Sequence, residues 1–124
     1  MASNPLFLGT PKIASVSTGL TANTALDGTG TLTTLLTMGS SGGKIDTIYL
    51  RHLGTNVATA VRFFVNDKLV WEETMGANTL TQAAASSPGI WRANLLIPAS
   101  ATVKITIGTT IASGIMVTAE YGEF

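Results

Sequence analysis

The chain has 124 residues, enough for one domain that buries roughly two-thirds of its unfolded surface on folding. It has no cysteine, which excludes disulfides and thiolate metal sites. Formal net charge is zero and 11% of residues are charged, against about 25% in ordinary domains, so there is no electrostatic footprint for nucleic acid or an anionic membrane.

Met1 to Pro5 lack the basic and apolar regions of a secretory signal, so no targeting segment is expected. No run of ~18 apolar residues exists to cross a membrane. Residues 1–11 read as an extended arm, because Pro5 and Pro11 bracket Leu6-Phe7-Leu8 and proline disfavours helix at and before itself. That apolar tripeptide needs a place to bury, either on its own domain or on a neighbouring subunit.

Residues 12–124 read as a single domain. Abundant Thr with few Lys and Glu favours strand over helix. Lys12 to Thr18 is a predicted strand, followed by a loop with Asp27-Gly28 as turn formers. Thr31 to Thr37 is a second strand, and Gly39 to Gly43 a glycine-rich turn. Lys44 to Leu53 alternates clearly, with Asp46, Ile48, Leu50 and His52 on one face and Ile45, Thr47, Tyr49, Arg51 and Leu53 on the other. Val57 to Val65 places Val57, Thr59, Val61, Phe63 and Val65 together. Asn66-Asp67 then marks a tight hairpin into Lys68 to Glu73, with Leu69 and Trp71 on one side.

Residues 74–90 carry no clear period. Leu80 to Ala85 suits a short helix by its alanines or an irregular strand. Trp91, Ala93, Leu95 and Ile97 then alternate as far as Pro98, Val103, Ile105 and Ile107 follow, and Ile115 to Tyr121 forms a last strand. About eight short, evenly spaced strands make an all-β chain. The expected fold is an antiparallel β-sandwich, jelly-roll-like first and another sandwich second.

No catalytic constellation emerges, and we expect no enzyme, cofactor or metal. Met38 to Ile45 resembles a phosphate loop, but Met38 stands where the first glycine belongs and Ile45 where Ser or Thr belongs. His52 is the one histidine, and no nucleophile elbow accompanies it. Glu72 and Glu73 are adjacent on a strand and point to opposite faces, unlike a glycosidase pair. Trp71 and Trp91 suit either the core or, with Tyr49 and Tyr121, a sugar-stacking platform. If Ile48 and Leu50 point inward, Tyr49 and Arg51 point outward. By the same logic the other face of Val57 to Val65 carries Arg62 and Phe64. Tyr, Phe and Arg are enriched where proteins touch partners. The candidate interface is therefore Leu6, Phe7, Leu8, Tyr49, Arg51, Arg62 and Phe64.

The segments Asn4 to Pro11, Asp27 to Thr31, Lys44-Ile45-Asp46, Val61 to Val65 and Ala119 to Phe124 resemble a family of small accessory structural proteins of tailed bacteriophages. The resemblance implies a virion protein on the phage head surface, made in the bacterial host cytoplasm. It would decorate or cement the capsid as a homotrimer bound to the major capsid protein. The resemblance brings no functional residues. The alternative is a glycan-binding module of a phage fibre or tail.

Overall fold

Strands dominate because the apolar residues recur at every second position between Gly-, Asn- and Pro-rich turns. The structure, a computed structural model, describes residues 9–18, 21–81, 83 and 89–124. Among these are nine strands and no helix: β1 (Thr10–Thr18), β2 (Thr33–Thr37), β3 (Gly43–His52), β4 (Thr59–Val65), β5 (Lys68–Met75), β6 (Gly89–Trp91), β7 (Leu95–Ile97), β8 (Thr102–Ile107) and β9 (Ile115–Glu123). Leu6, Phe7 and Leu8 lie outside the described residues, as does half of the Leu80–Ala85 segment. The first strand starts at Thr10, two residues before the expected Lys12.

Two antiparallel sheets pack face to face. Sheet A runs β1-β9-β3-β6, with β7 also paired to β3; sheet B runs β2-β8-β4-β5. Counted as one interrupted strand, β6 and β7 leave eight, in the orders 1-8-3-6 and 2-7-4-5. This is the two-Greek-key connectivity of the jelly roll, as expected. The interruption has a local cause. Asn94 adopts φ 44° and donates its N–H to Asp46 O at 3.2 Å, where β3 itself bulges.

Bulges decide which side chains reach the core. The register of β3 against β9 slips between Ile45 and Thr47, so Asp46 is extra and both Ile45 and Ile48 are fully buried. That corrects the expected placement of Ile45 on the Tyr49 face. A slip between Thr34 and Leu36 lets adjacent Leu35 and Leu36 both bury. In β5, Trp71 pairs with Phe63 but Leu69 pairs with Phe64, leaving Val70 extra. Leu69 and Trp71 therefore face opposite sides, not one. Val57 is 57% exposed rather than inward, because β4 begins only at Thr59.

Elsewhere alternation holds. Ile48 and Leu50 of sheet A, Val61 and Phe63 of β4, Val103, Ile105 and Ile107 of β8, and Ile115, Val117 and Ala119 of β9 form one buried cluster. Asn66 and Asp67 have φ of 48° and 63°, the two positive values of a type I′ hairpin turn. Trp71 on the edge of sheet B stacks on Trp91 on the edge of sheet A, with ring centroids 4.0 Å apart and planes 9° from parallel.

Candidate assembly surface

The candidate side chains fall on two opposite outer faces. Arg62 and Phe64 lie on the outer face of sheet B, paired with Thr106 and Lys104 of β8. Phe64 is nevertheless completely buried. The segment between β1 and β2 closes this face. Asn23 N–H donates to Ile107 O at 2.9 Å, past the end of β2. Further along, Gly28 abuts the Asp67 backbone so closely that a Cβ there would sit 2.2 Å from Asp67 O. Between these anchors Asp27 Oδ1 accepts from Thr29 N–H at 3.1 Å and from the Thr29 hydroxyl at 2.6 Å. Those bonds to the ionised form hold the Asp27 carboxyl below its ordinary range. Arg62 is tied to Glu72, Nε to Oε2 3.1 Å, and Lys104 to Asp67 at 3.2 Å. Phe64 is thus a core residue of a second, outer layer, and its expected role at an accessible interface is corrected.

Tyr49 and Arg51 lie on the outer face of sheet A. Registers across the sheet define its rows. One runs Ser15–Thr118–Tyr49–Ile90, with Ser15 Oγ and Thr118 Oγ1 2.9 Å apart. To one side lies Ile13–Glu120–Thr47, and beyond it Pro11–Gly122–Lys44–Leu96; to the other lies Ser17–Met116–Arg51. Among the described residues no segment crosses this face: Ile13, Leu96 and Ile90 are 72%, 61% and 48% exposed. Tyr49 donates its hydroxyl to the Glu120 carboxylate, which holds the phenol above its ordinary pKa, and burial adds to the shift. Apolar side chains lie at both margins, and between them Tyr49 and Arg51 are of the types enriched where proteins touch partners.

His52 is buried at one end of the sandwich. Its Nε2 lies 3.1 Å from Gly76 O and its Nδ1 3.0 Å from Asn56 Nδ2. Asn56 Nδ2 also donates to Gly114 O at 2.8 Å, and its Oδ1 accepts from Ser113 N–H at 2.9 Å. Four chain segments are joined there, so His52 works as a structural tie. At 3% exposure it is a packed residue and not a surface one. Trp71 and Trp91 are occupied by each other and by Phe63, at 5.0 and 5.7 Å. They form no open platform with Tyr49, which lies on the outer face. Among the described residues no group of three His, Cys, Asp or Glu is placed to hold a metal ion.

No family model, curated protein or solved structure matches this chain.

Proposed function

We propose that this protein is a structural virion protein that decorates or cements a phage capsid, acting as a homo-oligomer through contacts rather than chemistry. The observation that carries the reading is the contrast between the two outer faces. Sheet B's outer apolar residue, Phe64, is fully buried, and the chain's own 21–32 segment is anchored beside this sheet at Ile107 and Asp67. Sheet A's outer residues Ile13, Ile90 and Leu96 are exposed. Exposed aliphatic side chains at both margins, with Tyr49 and Arg51 of partner-enriched types between them, support an interaction face.

Magnitudes support assembly over a single tight contact. Four strand positions ~4.8 Å apart and four rows ~6.8 Å apart give roughly 500 Å² with side-chain margins. A stable interface needs about 800 Å² per partner. The face alone is short of that. Many weak contacts in a repeated lattice then sum through avidity, opposing the outward pressure of packaged DNA.

The test is sedimentation with phage heads stripped of the protein. Wild type is expected to co-sediment, and Ile13→Asp with Ile90→Asp to stay folded by circular dichroism while retention drops at least tenfold. Wild-type protein that ignores heads, or a double variant retained as well as wild type, overturns the reading.

A further inference from the structure

We propose that the outer face of sheet A packs against the same face of a second copy about a two-fold axis passing between Tyr49 and Thr118. The inference rests on the reading of this face as an assembly surface and names its partner.

Charge carries the first part of the argument. Among the described residues four ion pairs close: Lys12–Glu123, Lys44–Asp46, Arg62–Glu72 and Lys104–Asp67. Arg51, Arg92 and Glu120 belong to none of them, all three are exposed, and Arg92 acts on Tyr49 across the same face. They lie on neighbouring strands, Arg51 on β3 and Glu120 on β9, two rows apart. A cation and an anion of equal charge, flanking a common centre on one face, are the self-complementary arrangement an isologous contact requires.

Geometry carries the second part. Take strands ~4.8 Å apart and alternate residues ~6.8 Å apart. The line from Arg51 to Glu120 is then about 14 Å long and its midpoint falls between Tyr49 and Thr118. An in-plane two-fold through that midpoint, perpendicular to the line, lays each Arg51 over the partner's Glu120. The same operation brings Tyr49 onto its own copy, Ile90 beside its own copy and Ile13 close to Met116. Strands of the two copies cross at about 40°, near the ~30° of aligned sheet packing. One symmetry operation thus pairs Arg51 with Glu120, which already accepts from Tyr49, and covers Ile13 and Ile90.

Area sets the strength. Twice roughly 500 Å² just reaches the ~1,000 Å² of a specific contact. The dimer is expected to be weak, with a Kd on the order of micromolar, and to tighten where copies are concentrated on a lattice. A two-fold pair replaces the trimer that the phage resemblance implies.

The experiment is sedimentation equilibrium on the full chain, without capsids, from about 1 μM to 1 mM. Wild type should move from the 12.8 kDa chain mass to twice it. Arg51→Glu and Glu120→Arg alone should each weaken association at least tenfold, and together should restore it to within about threefold of wild type. Ile90→Asp should abolish it, which keeps the test open should Glu120→Arg fail to fold. A wild-type monomer throughout, a trimer, ineffective single variants, or a double variant no better than the singles overturns the proposal. Capsid retention is scored separately. A monomer that binds heads refutes only the two-fold, and a dimer that ignores heads refutes only the capsid reading.

Discussion

Phe63 and Phe64 are consecutive in β4, both are buried, and they face opposite sides of the same sheet. Phe63 enters the core between the sheets, where it meets Trp71 and Trp91. Phe64 enters a layer formed by the 21–32 segment. The consequence is a stability cost usually reserved for the main core. Phe64→Ala should destabilise by about 3–5 kcal/mol in urea denaturation, and Phe64→Asp should not fold. A loss under ~0.5 kcal/mol, typical of a surface site, would show that the segment does not cover it.

Gly28 makes that cover possible. It has φ 84° and no room for a Cβ against Asp67 O. Gly28→Ala adds strain at positive φ and a clash with backbone, so a loss above ~1 kcal/mol is expected. The 21–32 segment should lift first. Hydrogen exchange at Asn23, whose N–H bonds to Ile107 O, should speed up while β8 and β9 amides keep their protection. Unchanged exchange at Asn23 would mean that the segment's two anchors act separately.

Lys12 Nζ and Glu123 Oε1 are 2.7 Å apart and hold the start of β1 to the end of β9. Their hydrogen bond lowers the Glu123 carboxyl below its ordinary 4.5 and raises the Lys12 amine above its ordinary 10.5. A depressed acid contributes stability that is present above pH 4.5 and lost as pH falls through the folded value. A raised amine contributes stability that is present below pH 10.5 and lost as pH rises through the folded value. The clamp is therefore complete between these limits. Protection of the Gly9 amide, which bonds to Glu123 O at 2.8 Å, should fall below pH 4 relative to central β9. In Glu123→Gln it should be lower at neutral pH and flat across the acid range. Equal acid sensitivity in that variant would assign the effect to another carboxylate.

Regular alternation in the chain made the jelly-roll strands and most of the core legible, as at Ile48, Leu50, Val103, Ile105, Val117 and Ala119. It misplaced Ile45 and Leu69 because a bulge adds one residue to one strand, and side-chain period carries no mark of it. Of the candidate site, Tyr49 and Arg51 were legible because β3 is regular beyond Asp46. Ile13, Ile90 and Leu96 were missed. Each sits on a short or edge strand, where an apolar outward residue looks the same in sequence as an inward one. The isoleucine in Lys12-Ile13-Ala14, between a lysine and the inward Ala14, was the one signal available. Phe64 was misread for a different reason. Its cover comes from a segment more than thirty residues earlier in the chain, and no local pattern encodes that contact.

The Trp71–Trp91 stack closes the side of the sandwich where β5 and β6 are both edge strands. Among the described residues no backbone hydrogen bonds join β5 to β6, so the rings supply the contact. Both are half-buried, which places the cost of truncation somewhat under the ~3–5 kcal/mol of a fully buried aromatic. Trp71→Ala and Trp91→Ala should each lose about 2–4 kcal/mol. The double variant should lose less than the sum, by about 1 kcal/mol, because a face-to-face aromatic pair is worth roughly that beyond its buried area. Near-ultraviolet circular dichroism supplies a second reading, since two parallel indoles at 4.0 Å should give a paired signal that either single variant removes entirely. Additive losses and a signal that survives in one variant would show each ring packing on Phe63 alone. The sheets would then be held by the aliphatic core without an aromatic clasp at this edge.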